Sequence, residues 1–165
     1  MERKLERILL ATDFSSDSLA ALEYSVALAR EHLCEIVLIH VIEPLPRGAA
    51  RWQDPSELLE QYAEHARAQL EHFAAQALAL YPHCRGELHF GTASRVIADL
   101  AAKLNTGLIV VSARRRTGIF DRLLEGLPEK LLRVAPCPVL AVQPQTEPLE
   151  NPHERHQTHA SIFPN

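Results

Sequence analysis

The sequence predicts an α/β protein: a three-layer open sandwich in which a five-stranded parallel sheet lies between two layers of helices. Three observations predict this fold. Short apolar runs lack strict alternation of apolar and polar residues, as expected of strands that are buried on both faces. Segments with apolar residues at spacings of three and four, typical of amphipathic helices, separate these runs. Strand and helix alternate along the chain, which favours parallel strands joined by right-handed crossovers.

Length and composition are those of one globular domain. The chain has 165 residues, of which 47% are hydrophobic and 23% are charged, and its formal net charge is −4. A core of this size buries roughly 70% of the surface of the unfolded chain. The negative charge argues against nucleic acid or anionic lipid as a partner. The first residues resemble neither a signal peptide nor a membrane span, so we expect a cytoplasmic protein.

The first strand is predicted at residues 7–12 (RILLAT), directly before Asp13. Ser15, Ser16 and Asp17 follow and offer N-cap oxygens to a helix. Residues 35–41 (EIVLIHV) are apolar and rich in β-branched side chains, which predicts the second strand. The predicted buried face of the helix between these strands comprises Leu22, Val26, Ala29 and Leu33.

Residues 43–55 form a predicted loop, because proline continues neither a strand ladder nor a helix interior. Ser56 is predicted to cap a long helix that ends before Pro82. The third strand, residues 85–90 (RGELHF), is more polar than the others, which predicts a place near a sheet edge. The predicted apolar face of the long helix comprises Leu58, Tyr62, Ala66, Leu70, Phe73, Ala77 and Leu80.

The third helix follows residues 91–94 (GTAS) and ends at residues 105–107, which tolerate left-handed dihedral angles. The fourth strand (GLIVVS), the last helix (PEKLLRVA) and the fifth strand (PVLAV) follow in that order. The remaining residues are polar and rich in Pro and His, so we divide the chain into a domain at 1–145 and a flexible C-terminal tail at 146–165. The predicted buried face of the third helix comprises Ile97, Leu100, Ala101 and Leu104.

Five blocks, in this order, carry a resemblance to a known family: ILLATDFSSDSLAALEYSVALA, HVIEP, FGTASRVIADLAAKLNTGLIVVS, RTG and EKLLRVAPCPVLAV. They resemble the universal stress protein family over about residues 7–143. The resemblance implies an adenine nucleotide alpha hydrolase-like fold with strand order 3-2-1-4-5, and homodimerisation through the last strand. An apolar edge strand also favours pairing with its own copy; the alternative is that the tail folds back over this edge. The predicted dimer strand comprises Val139, Leu140, Ala141 and Val142.

Nucleotide-binding members of this family carry Gly, two residues, Gly, nine residues, then Gly and Ser or Thr. Such glycines let backbone amides approach phosphate oxygens. Aligned on RTG, this chain has Ser112 and Arg115 at the first two glycines and Glu125 and Gly126 at the closing pair, and Pro128 removes an amide donor from the next helix. The resemblance implies that Asp13 and Val41 lie against adenosine. The candidate nucleotide-binding residues are Thr12, Asp13, Val41, Ser112, Arg115, Arg116, Gly118 and Gly126.

The degenerate loop predicts a non-catalytic stress-response protein that acts as a homodimer through contacts with unknown protein partners, without a cofactor and without ATP turnover. One alternative is an ATP-binding switch or slow hydrolase of the same fold. Another is an anion sensor, because Arg114, Arg115, Arg116 and Arg122 supply donors that suit phosphate.

Other motifs carry no predicted chemistry. The sequence holds neither a GxSxG nor an HExxH motif, and so no catalytic residue is assigned. His153, His156 and His159 have a spacing that could hold zinc or copper, but a polar tail without apolar anchors favours disorder, so no metal is expected. The three cysteines, Cys34, Cys84 and Cys137, are far apart and are interpreted as structural thiols.

Overall fold

The computed structural model describes residues 4–44, 54–113 and 126–143. Within these ranges, five parallel strands form one sheet of order β3-β2-β1-β4-β5, which confirms the predicted fold class and strand order. The strands are β1 (Arg7–Ala11), β2 (Glu35–Ile42), β3 (Cys84–Phe90), β4 (Leu108–Ser112) and β5 (Val139–Val142). The helices are α1 (Ser16–His32), α2 (Pro55–Leu80), α3 (Ala93–Lys103) and α4 (Leu127–Val134).

The sheet is covered on both faces by helices. Successive residues of β1 point to opposite faces: Ile8 and Leu10 pack in a cluster with α1 and α2, whereas Leu9 and Ala11 pack in a cluster with α3 and α4. The inner strands β2 and β4 alternate in the same way. Because both faces of these strands are buried, most of their positions are apolar, which is why the sequence shows apolar runs without strict alternation.

Helix α1 confirms three of its four predicted core positions. Leu22, Val26 and Ala29 are buried, but Leu33 is 85% exposed, so its assignment to the core is wrong. The helix ends at His32, and Leu33 is its C-cap in the left-handed conformation, with φ 54°. Ser15 is the N-cap residue, although its side chain makes no capping hydrogen bond. The apolar spacing therefore continued one residue beyond the helix.

Helix α2 begins earlier than predicted and buries a slightly different stripe. Its N-cap is Asp54 rather than Ser56: the Asp54 carboxylate accepts a hydrogen bond of 2.7 Å from the amide of Ser56. Tyr62 and Leu80 are about half exposed, at 52% and 45%, so their assignment to the core is wrong. The buried residues of α2 follow a spacing of three and four: Ala63, Ala66, Leu70, Phe73 and Ala77.

The second half of the domain follows the prediction closely. In α3, Ile97, Leu100 and Ala101 are buried and Leu104 packs against their cluster. Asn105 has φ 51°, as the predicted helix ending requires. The polar strand β3 lies at a sheet edge, as predicted. In the described ranges no helix is long and apolar enough to cross a membrane. The predicted tail at 146–165 lies outside the described residues.

Candidate functional site

A cleft of about 650 Å³ opens at the carboxyl ends of the strands and is bordered by the first turns of α3 and α4. It lies where the strand order reverses, because β1 pairs with β2 on one side and with β4 on the other. Open α/β sheets bind their ligands at this position. Arg115, Arg116 and Gly118 lie outside the described residues. Five of the predicted candidate residues line the cleft: Thr12, Asp13, Val41, Ser112 and Gly126.

The floor of the cleft is apolar and its rim carries a few polar groups. Side chains near the strand ends, among them Ile39 and Val111, contribute the apolar part, together with Ile97 from α3. Thr12, Ser94 and Ser112 add hydroxyl groups. A concave apolar surface with a small number of polar groups is the usual composition of a small-molecule site.

The turn between β1 and α1 holds Asp13 at the cleft through several hydrogen bonds. The Asp13 carboxylate accepts hydrogen bonds from the Ser15 amide at 3.1 Å and from Ser18 Oγ at 2.8 Å. Ser18 is fully buried, and its Oγ also accepts from the amide of Asp13 at 3.3 Å. The next residue, Phe14, has a positive φ of 64°, which is uncommon for a residue with a side chain. Side-chain hydrogen bonds therefore fix this turn.

His40 also holds this turn, which the sequence did not indicate. The ring of Phe14 stacks on that of His40 with centroids 4.3 Å apart, and it forms a T-shaped pair with Phe73, with centroids 6.1 Å apart. His40 Nδ1 lies 2.8 Å from the carbonyl oxygen of Thr12. Because a carbonyl only accepts, Nδ1 carries the hydrogen and donates it. No local spacing indicates this contact, since the partner of His40 is 28 residues away.

Glu43 forms the rim of the cleft beside α3. It follows β2 directly, and its Oε1 accepts a hydrogen bond of 3.0 Å from the amide of Ala93, the first residue of α3. The N-cap residue Thr92 makes no side-chain capping bond. A carboxylate 50 residues away in the sequence therefore caps this helix. The sequence placed Glu43 in a loop and gave it no role.

The first turn of α4 forms the opposite rim. Gly126 is its N-cap, with an extended backbone at φ −79°, and Pro128 lies within the first two positions of the helix. Proline has no amide hydrogen, so this helix end has one donor fewer than an ordinary helix start. Glu129 follows in the same turn and lines the cleft with Lys130.

Acidic groups outnumber basic ones around the cleft. Among the described lining residues, Asp13, Glu43 and Glu129 are carboxylates and Lys130 carries the only amine, which gives a formal charge of −2 with histidine neutral.

The three cysteines have no reactive environment. All are free thiols: Cys34 is buried, and Cys84 and Cys137 are partly buried. Burial raises the pKa of Cys84 to about 11, and it also raises the pKa of Cys34 and of Cys137. The thiols stay protonated at neutral pH and are poor nucleophiles, in agreement with their interpretation as structural residues. In the described part of the chain, no group of three or more His, Cys, Asp or Glu side chains could hold a metal ion.

The fold and the cleft define an α/β protein with a cleft at the switch point of a parallel sheet. A family model described as the universal stress protein family matches residues 4–143, and this chain belongs to that family. A universal stress protein of Methanocaldococcus jannaschii is 28% identical over 146 residues, which cover 86% of this chain and 84% of the relative.

Solved structures share the fold at lower identity. Universal stress protein UspA from Lactobacillus plantarum superimposes with a TM-score of 0.69 and 22% identity, covering 86% of this chain and 99% of the other. A universal stress protein in complex with cAMP gives a TM-score of 0.66 at 20% identity, covering 86% and 98%. The universal stress protein from Archaeoglobus fulgidus in complex with dAMP gives 0.57 at 17%, covering 84% and 98%.

Proposed function

We propose that this chain is a cytoplasmic stress-response protein that acts as a homodimer through protein contacts and does not turn over ATP. Membership of the universal stress protein family supports the stress-response role. The absence of ATP turnover is supported chiefly by the first turn of α4. A polyphosphate would gather amide donors there, but the chain offers Pro128, which has no donor, and Glu129, which is negatively charged.

The homodimer is supported by the exposure of β5 and its surroundings. Within the described residues β5 pairs with β4 alone. The backbone donors and acceptors on its other edge can therefore pair with a further strand. Val139 and Leu140 are only partly buried. Leu132 of the adjacent helix α4 is 68% exposed. A second copy of the chain would cover these groups in an isologous interface.

Calorimetric titration with ATP and Mg²⁺, combined with a phosphate-release assay, tests the absence of turnover. We expect no saturable heat and no phosphate release above buffer for the natural chain. The double variant Pro128→Ala, Glu129→Gln restores the amide and removes the charge, so we expect it to gain measurable ATP binding. Stoichiometric ATP binding by the natural chain, accompanied by phosphate release, would contradict the proposal.

A second candidate function is an ATP-binding switch of the same fold. The observation that favours it is the cleft itself, where Thr12, Asp13, Val41, Ser112 and Gly126 come together as the nucleotide-binding interpretation requires. Relatives of the same fold are solved in complex with cAMP and with dAMP. Saturable ATP binding without phosphate release would favour this candidate over the first.

A further inference from the structure

The peptide unit that joins Thr12 to Asp13 is held by a hydrogen bond at each of its two ends. His40 Nδ1 donates to the carbonyl oxygen of Thr12 at 2.8 Å. The amide of Asp13 donates to Ser18 Oγ at 3.3 Å. A peptide unit is planar, so bonds to both its oxygen and its hydrogen fix the orientation of the whole unit. Thr12 and Asp13 both line the cleft, and the two bonds therefore determine how the end of β1 faces it.

A second contact keeps the ring of His40 in the position from which it donates. The ring of Phe14 stacks on it, with centroids 4.3 Å apart and planes 28° from parallel. Phe14 has a φ of 64°, and a bulky residue stays in this region only where the surrounding contacts hold it. The T-shaped pair of Phe14 with Phe73 is one further such contact, from α2. His40 thus contacts the residues immediately before and after Asp13.

We propose that His40 is a positioning residue, which orients the peptide unit between Thr12 and Asp13 and thereby sets the affinity of the cleft for a nucleoside. This inference rests on the second candidate function, in which the cleft binds a nucleotide, and it does not depend on dimerisation. His40 acts through its two neighbours on β1 and is assigned no contact with the ligand. Its neutral ring carries the hydrogen on Nδ1, because the carbonyl of Thr12 only accepts.

Two variants separate the hydrogen bond of His40 from its ring contact, and calorimetric titration with adenosine compares them with the natural chain. His40→Phe keeps an aromatic ring beside Phe14 but has no donor for the carbonyl of Thr12. His40→Asn has no ring, but its side-chain amide nitrogen can donate from about the position of Nδ1. We expect adenosine affinity to fall about tenfold in His40→Phe, the effect of one hydrogen bond, and to stay within about threefold in His40→Asn.

His65→Phe is the matched control, because His65 is an exposed residue of α2 that does not line the cleft. It should leave adenosine affinity unchanged. Circular dichroism at the temperature of the titration establishes that each variant is folded, so that a loss of affinity is not a loss of fold. A role for His40 in stability alone would leave the affinity of the folded variants unchanged.

Nitrogen-15 spectra of the histidine rings provide a readout that needs no ligand and no variant. We expect the neutral ring of His40 to carry its hydrogen on Nδ1; a hydrogen on Nε2 instead would overturn the inference. Equal adenosine affinities for the natural chain and His40→Phe would also overturn it, while leaving the cleft as a nucleoside site. Absence of adenosine binding by the natural chain would overturn it together with the second candidate function, and would leave the proposed homodimer without ATP turnover intact.

Discussion

At the scale of single residues, Ser18 holds the turn that presents Asp13 to the cleft. Its Oγ donates to the Asp13 carboxylate at 2.8 Å and accepts from the Asp13 amide at 3.3 Å, and the side chain is fully buried. Ser18→Ala removes both bonds, although the Asp13 carboxylate keeps its hydrogen bond from the Ser15 amide. We expect a loss of about 1–2 kcal/mol in the free energy of unfolding, measured with urea.

Ser16→Ala is the control for this substitution, because Ser16 is an exposed residue of the same helix. Its effect should stay within about 0.5 kcal/mol. Equal losses of unfolding free energy for Ser18→Ala and Ser16→Ala would mean that the hydrogen bonds of Ser18 do not stabilise the turn.

His40 and Glu43, the two site residues that sequence analysis did not identify, both act through partners that are distant in the sequence. Thr12, Asp13 and Ser112 could be predicted, because they follow buried strands and the carboxyl ends of parallel strands meet at one edge of the sheet. The contributions of His40 and Glu43 depend on hydrogen bonds to partners 28 and 50 residues away. No local spacing encodes such contacts, so only the folded chain shows them.

At the scale of elements, β5 could be predicted as an edge strand and its open edge carries the dimer proposal. The carbonyl group of Pro138 accepts a hydrogen bond from Ile109 of β4, and that of Val142 accepts one from Ala113, the residue that follows β4. Because successive residues of a strand direct their backbone groups to opposite sides, those of Val139 and Ala141 point towards the open edge. A partner strand would therefore pair with Val139 and Ala141.

Ala141→Pro tests this pairing. It removes an amide hydrogen from the open edge and none from the β4 ladder, and proline is tolerated on edge strands with that orientation. We expect the natural chain to sediment as a dimer and the variant to dissociate to monomers at the same concentration. Ala141→Ser, which keeps the amide, should remain dimeric. A concentration-independent monomer mass for the natural chain would rule out the edge-strand dimer.

Helix boundaries were less predictable than helices. The strands and the core of each helix followed from apolar patterns, because burial on one or both faces leaves a repeated signal. Helix ends depend on single capping contacts: Asp54 rather than Ser56 caps α2, and Leu33 ends α1 in a left-handed conformation. The apolar pattern does not depend on these contacts, and for this reason the predicted apolar face of α1 continues one residue beyond the end of the helix.

At the scale of the whole molecule, ion pairs on one face of the sheet connect three strands. Arg7 of β1 and Arg85 of β3 both bind Glu35 of β2, each through Nε at 2.7 Å. Arg85 also binds Glu87, which pairs with His89 at 2.9 Å. Arg7 further donates to the carbonyl of Leu104, at the end of α3. These five side chains form a charge ladder that joins β1, β2 and the edge strand β3.

The two carboxylates of the charge ladder have lowered pKa values. Partial burial alone would raise the pKa of Glu35, but hydrogen bonds from Arg7 and Arg85 outweigh it and bring the pKa below its usual value of 4.5. In Glu87, burial is likewise outweighed by hydrogen bonds from His89 and Arg85, so this pKa is lowered too. The folded state therefore holds the charged form of both carboxylates more strongly than the unfolded chain does.

Acid should consequently weaken the fold through this ladder. A carboxylate with a lowered pKa in the folded state stabilises the protein fully above the unfolded pKa, and the contribution is lost as the pH falls through the folded value. We expect the free energy of unfolding to fall with pH below about 4.5, and to fall less steeply in Glu35→Gln, which has no carboxylate to protonate there. Glu23→Gln, on the exposed face of α1, should retain the natural profile. Identical slopes for Glu35→Gln and the natural chain would show that the charge ladder does not govern acid stability.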